Sequence, residues 1–155
     1  MTKDPIGFAG GDTNLYSYSL QDPVNFVDPS GFLRDPKSIF DEVLNHPNSS
    51  SGTNGPGNAF QHCFASCMMA AENGSASAAI LGAGFEFINN LQGQKSDAYC
   101  MDTHNNKVGR DLAKENGISN LTGFSDASHR EVSSSCVKVC NGANSSGRLV
   151  NLGEK

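Results

Sequence analysis

The chain has 155 residues, with 11 Lys+Arg against 16 Asp+Glu and a net charge of −5 at pH 7. That length fits one domain, or one domain with a tail. It contains no Lys/Arg cluster, which argues against a nucleic-acid target because such binding rests on phosphate neutralisation. No apolar run approaches the ~18 residues of a membrane span, and no basic-then-apolar signal peptide opens the chain, so export is expected to depend on something else. The charge is uneven. Residues 1–32 hold one Lys against four Asp, whereas residues 33–155 hold ten Lys+Arg against twelve Asp+Glu and are near neutral.

Residues 1–32 differ from the rest in pattern as well. Asp-Pro recurs at Asp4-Pro5, Asp22-Pro23 and Asp28-Pro29, with turn formers between. Residues 14–18 and 24–27 read as short strands, and two isolated strands cannot stabilise themselves. The run strongly resembles the conserved end of the Rhs-repeat core of bacterial polymorphic toxins. That signature is a D-P-I-G-L-type turn, an N-L-Y-x-Y strand, then N-P-V-x-x-V-D-P-x-G-L. Here these stand as Asp4-Pro5-Ile6-Gly7-Phe8, Asn14-Leu15-Tyr16-Ser17-Tyr18, and Asp22-Pro23-Val24 through Val27-Asp28-Pro29-Ser30-Gly31-Phe32.

The resemblance implies a β-shell upstream in the parent protein and a variable toxin cargo over residues 33–155. It implies self-cleavage near Phe32–Leu33, with Phe in place of the family's Leu, by protease residues of the absent core. It also implies delivery into a competing bacterium by contact-dependent (type VI) secretion, and a cognate immunity protein as partner.

Beyond the boundary the periodicity is helical. Ile39, Phe40, Val43 and Leu44 give a first helix over 36–46, with Asp35 as cap and Pro36 at its first position. Residues 48–57 read as a loop. A second helix over 58–73 takes Asn58 as N-cap with Gln61 in a capping box, carries the stripe Phe60, Cys63, Phe64, Cys67 and Met68, and stops at Gly74. Ser75 caps a third helix to about 91, with Ile80, Leu81, Phe85 and Ile88 as its apolar face. In it Gly82 and Gly84 allow another backbone to approach. Asp102 or Thr103 caps a fourth helix through 115, closed by Gly117. Ser128 and Glu131 form the capping box of a fifth, whose stripe is Val132, Cys136, Val139 and Cys140, ending at Gly142. The tail from Asn144 is expected to fray. The fold class is therefore all-α, a compact bundle of about five helices.

Cys63/Cys67 and Cys136/Cys140 each sit one turn apart on the core stripe of their own helix. Antiparallel packing would pair Cys63 with Cys140 and Cys67 with Cys136; parallel packing would pair Cys63 with Cys136 and Cys67 with Cys140. Two structural disulfides are the favoured reading, ahead of buried thiols in a reduced core or a four-thiolate zinc site. Each bond would close a loop of roughly 70 residues and point to an oxidising compartment such as the periplasm. Cys100 is left over as a free thiol.

Chemistry gathers at Met101-Asp102-Thr103-His104-Asn105-Asn106-Lys107-Val108-Gly109-Arg110, where an expected helix N-terminus meets a dense set of polar side chains. With Asn58, His62 and Glu86 this is similar to a domain that recurs at the ends of Rhs-type toxins. Its pattern runs N/D-A-x-R-H-C, then H-E, then M-D-x-H-N-N-x-V-G-R. Gln61 stands at the Arg position and Phe85 at the His of H-E.

The residues themselves suggest His62 as a general base oriented by Glu86, with Asp102 and His104 as a second pair for a metal or a developing anion. Asn58, Gln61, Asn105, Asn106 and Arg110 are the candidate substrate-binding residues. The plainer roles are a structural His62, a surface Glu86, an N-cap at Asp102 and an ion-paired Arg110, with His46 and His129 on the surface.

The expected activity is hydrolysis of bacterial envelope, lipid or peptidoglycan, in the target periplasm. A divalent metal is a possible cofactor. The competing expectations are a metal-dependent nuclease in the target cytosol, or a non-enzymatic membrane permeabiliser inserting residues 76–91. Glu86 would make that insertion costly.

Overall fold

The computed structural model describes residues 14–16, 36–49, 54–80, 82, 96–118 and 126–153. The fold within them is all-helical. In chain order the elements are α1 (Pro36–Asn45), α2 (Pro56–Asn73), α3 (residues 75–80), α4 (Ser96–Glu115) and α5 (Asp126–Ser145). No helix among the described residues is long and apolar enough to cross a membrane. The proposed cleavage point at 32/33, the inserting helix beyond residue 82, and Leu81, Gly84, Phe85, Glu86 and Ile88 lie outside the described residues. Of the leader only 14–16 is described. There Tyr16 N–H donates to Asn14 Oδ1 at 3.2 Å and Tyr16 is exposed, a side-chain-closed turn rather than the expected strand.

α2 is the centre of the bundle. From Ala59 to Ala71 every residue except Gln61 and His62 is buried, as expected of a helix apolar on nearly all sides. It begins two residues before the expected start. Gly55, in extended backbone, is the N-cap and Pro56 occupies the first turn, where a fixed φ and a missing N–H cost nothing. Asn58 therefore sits inside the helix, and the Asn58/Gln61 capping box does not form. Gly74, at φ +87°, ends the helix where a glycine was expected to.

Two disulfides join α2 to α5 in the antiparallel pairing. Cys63–Cys140 and Cys67–Cys136 have Cα separations of 5.9 and 5.8 Å and span 77 and 69 residues. α5 starts two residues earlier than its expected cap, so Ser128 and Glu131 are helical. It also runs past Gly142 to Ser145.

α1 packs on α2 through Ile39 and Val43, both fully buried, while Phe40 is half-buried and Leu44 is 61% exposed. The α1 stripe is thus narrower than its periodicity implied. In α3, Ala78 is buried but Ile80 is 59% exposed, so Ile80 does not belong to the core.

α4 differs most from expectation. It starts at Ser96, six residues before Asp102, so Asp102 and Thr103 cap nothing and the polar cluster lies in mid-helix. Its close approach to α2 is fixed at Gly109. A Cβ built there would stand 2.2 Å from the Cys63 carbonyl oxygen, so only hydrogen fits between the two backbones. This is the backbone approach that the sequence assigned to Gly82; at Gly82 the neighbours are instead the Asn106 and Arg110 side chains.

The tail is docked rather than frayed. Arg148 N–H donates to Ala143 O at 2.9 Å, Leu149 is buried, and Leu152 N–H donates to Asn54 O at 2.8 Å.

Candidate active site at the α2–α4 seam

Helical spacing sets which side chains can meet. His62 and Ser66 are one turn apart on α2, and Asp102, Asn106 and Arg110 fall at i, i+4 and i+8 on α4. Gly109 seats the two helices close enough for the rows to interlock. His62 Nε2 lies 3.2 Å from Asp102 Oδ1, and the carboxylate side chain is only 6% exposed. The other ring nitrogen, Nδ1, lies 3.3 Å from Asn106 Oδ1, and Ser66 Oγ donates to that same oxygen at 3.0 Å. Ser66 and Asn106 are both buried, while the imidazole keeps 22% of its surface.

Asn106 Oδ1 is an acceptor, so its hydrogen bond with the ring is donated by Nδ1–H. Nε2 faces Asp102 Oδ1 in a charge contact that strengthens when both ring nitrogens are protonated. Arg110, next in the α4 row, points its Nη1 to within 3.8 Å of where a Cβ on Gly82 would be, as does Asn106 Nδ2. Burial lowers the Arg110 pKa and neighbouring Asp111 raises it; an arginine keeps its charge under such pulls.

His62, Ser66 and Asn106 border a cavity of about 520 Å³ lined by residues of α1, α2, α3 and α4. Gln61 also lines it, while Asn58, one turn before His62, does not. The apolar walls come from α1, which contributes Phe40, Val43 and Leu44, and from Ala65 and Met69 of α2. Volumes of this order are those of small-molecule sites.

The remaining candidates go elsewhere. His104 is two positions beyond Asp102, on the far side of α4, and its Nε2 faces Arg148 O at 3.0 Å. Asn105, fully buried, donates from Nδ2 to Val150 O at 2.8 Å and accepts from Val150 N–H at 2.9 Å. These two residues hold the C-terminal tail, and Arg148 adds a bidentate pair with Glu115 at 2.8 and 2.9 Å. The structure therefore joins Asp102, not His104, to His62. Glu86 lies outside the described residues. Among those residues no three His, Cys, Asp or Glu side chains are grouped so as to hold a metal ion. Cys100 is free and exposed.

A second histidine cluster was not expected. His129 of α5 faces Glu72 Oε1 of α2 at 2.5 Å from Nδ1 and Glu42 Oε2 of α1 at 2.8 Å from Nε2. Ser133 donates to the other Glu42 oxygen. His129 is an inter-helix strut, not a surface residue. His46, also read as surface, packs its ring on Phe60 and Phe64 with centroids 5.3 and 5.4 Å apart.

Sequence reasoning also passed over Ser66. Its signal was its place one turn beyond His62 on the same face.

These features define a class: a small helical domain braced by two cystines, with a His–carboxylate pair whose imidazole borders a largely apolar cavity. The chain belongs to the family described as Domain of unknown function (DUF6973), whose pattern matches residues 36–138, from the first residue of α1 to within α5. No solved structure matches the chain.

Proposed function

We propose that this domain is the toxin cargo of an Rhs-type effector and hydrolyses a component of the bacterial envelope, with His62 as general base. The observation that carries this reading is the His62–Asp102 contact at the wall of a cavity of about 520 Å³. A buried carboxylate beside an imidazole stabilises the cation formed when the ring takes a proton from water, and general-base catalysis of this kind is worth about 10²- to 10⁴-fold in rate.

In the proposed reaction, the neutral His62 imidazole removes a proton from water as the hydroxide adds to the substrate's carbonyl carbon. The imidazolium so formed is stabilised by Asp102 beside Nε2 and by Asn106 Oδ1 beside Nδ1. The bond to the leaving group then breaks, and the leaving atom recovers the proton from the imidazolium. Asn106 Nδ2 and Arg110 Nη1, each 3.8 Å from where a Cβ on Gly82 would be, supply donors for the oxyanion. The cystine brace suits a periplasmic place of action, and a cognate immunity protein would protect the producer.

The test is expression of residues 33–155 in bacteria with and without a periplasmic signal, each with and without His62→Ala. Toxicity that requires export and disappears in the variant is the expected result. Toxicity without export, accompanied by nucleic-acid breakdown, would replace this reading by the nuclease. Toxicity indifferent to His62 would replace it by membrane permeabilisation.

A further inference from the structure

The cavity beside His62 is two-sided in its chemistry, and the two sides belong to different helices. On the α1 side stand Phe40, Val43 and Leu44, continued by Ala65 and Met69, which follow Gln61 at i+4 and i+8 on α2. The polar residues on that side are Gln61 and the exposed Lys37, which is ion-paired with Asp41; Phe40, Val43, Leu44, Ala65 and Met69 carry no group able to replace water around a polar ligand. On the α4 side, one row around α2, stand His62, Ser66 and Asn106.

A glycan strand or a stem peptide would bring hydroxyls and amides against the apolar wall, and each one buried without a partner costs free energy. A hydrocarbon chain is matched by that wall and is favoured in proportion to the area it buries. From this, and resting on the hydrolase reading above, we infer that the cavity takes one acyl chain of a membrane phospholipid, with the ester carbonyl at the His62–Asn106 end.

The reaction is then ester hydrolysis. Water supplies the hydroxide, the acyl carbon–oxygen bond breaks, and the products are a fatty acid and a lysophospholipid. Leu44, 61% exposed though it lines the cavity, marks where a chain would pass from the bilayer into the site. The near-neutral charge of residues 33–155 suits this substrate, since apolar contact rather than phosphate attraction carries the binding.

The test uses the oxidised full chain and two probes. Dihexanoyl-phosphatidylglycerol monomers report binding by calorimetry, and vesicles of phosphatidylethanolamine with phosphatidylglycerol report fatty-acid release. Ala65→Phe fills the cavity from its floor. Leu44→Asp, at an exposed position that folding tolerates, puts a charge at its mouth.

Both variants are expected to weaken short-chain binding by about tenfold or more, the size of effect given by losing one apolar contact area. His62→Ala should bind within about twofold of the parent but release no fatty acid, since it removes only the base. No binding by the parent chain, or binding indifferent to both Ala65 and Leu44, overturns the inference. His62-dependent cleavage of peptidoglycan without lipid binding would overturn it while leaving the general base in place. Lipid binding with fatty-acid release unchanged in His62→Ala would uphold the acyl site and remove the base.

Discussion

His62 and His129 each touch a carboxylate on a neighbouring helix, yet they occupy different kinds of place. His129 has both ring nitrogens committed to carboxylates, Glu72 and Glu42, and ties α5 to α1 and α2. That is the arrangement of an imidazolium used as a strut, since both nitrogens must donate. His62 has one carboxylate and one longer contact to an amide, and it borders a cavity. A histidine–carboxylate contact is therefore not itself a sign of catalysis. What separates the two is whether the ring borders room for a substrate.

The covalent links fall unevenly across these regions. Both cystines join α2 to α5, the helix of His129, while α4, the helix of Asp102, is held to α2 by packing at Gly109 and by the contacts of His62 and Ser66 with Asp102 and Asn106. Reducing both bonds should have the largest effect on stability. The first closes a loop of roughly 70 residues and is worth about 4 kcal/mol. The second adds less, because its ends lie one helical turn from ends already joined. Urea unfolding of the oxidised chain against Cys63→Ser with Cys140→Ser, and against the four-serine variant, measures both steps. A change below about 1 kcal/mol for the first pair would remove the brace from the account.

Gly109→Ala attacks the other seam. The added methyl meets the Cys63 carbonyl at 2.2 Å, and because the obstacle is backbone the helices must separate. The expected cost is about 3 kcal/mol, at the upper end for overpacking. His62 would also lose Asp102 while the His129 cluster stays intact. Thermal unfolding and the activity of the folded fraction read the two consequences separately. Wild-type stability together with wild-type activity would show that the seam is not set by this contact.

The bundle was legible in the sequence where apolar spacing and glycine stops agreed. The stripe of Phe60, Cys63, Phe64, Cys67 and Met68 is buried in the observed α2, and Gly74 ends it. The site was legible in its residues but not in its partners. Asp102, Thr103, Asn105 and Asn106 have the side chains that compete with helix backbone and favour caps, so a start at 102 was the natural local reading.

Tertiary packing overrides that preference. Asp102 and Asn106 are held by α2, and Asn105 by the tail, so the helix continues through all of them. His129 gave no local signal because its partners are 57 and 87 residues away. A short tail with one buried leucine shows no periodicity, so the docking of Leu149 could not be read.

Exchanging the roles of the two histidines is the sharpest test of the comparison. His129→Ala removes the cation between two carboxylates and should cost about 1–2 kcal/mol, less than a fully buried pair because Glu42 and His129 are part-exposed. Activity per folded molecule should not change. His62→Ala should do the reverse: stability should shift by less than about 1 kcal/mol, and turnover should fall by about 10²-fold or more. If both variants lose activity in proportion to folded fraction, the two sites are of one kind.

The smallest effect belongs to the tail clamp on the far side of α4. The hydrogen bond from Arg148 holds the Glu115 carboxyl below its ordinary pKa, with a smaller opposing pull from burial. A carboxyl depressed in the folded state stabilises it at pH above the unfolded value and loses that contribution as pH falls through the folded one. Acidification through and below the usual carboxylate range should therefore loosen residues 146–153 before it loosens the cystine-braced pair α2 and α5. Amide exchange at Leu149 and Leu152, followed from pH 7 downward, should show protection falling first there. Glu115→Gln should abolish most of that pH dependence, and His62-dependent activity should be unmoved by the substitution at neutral pH. Protection of the tail that ignores both pH and Glu115 would assign its docking to Leu149 and the Asn105–Val150 pair alone.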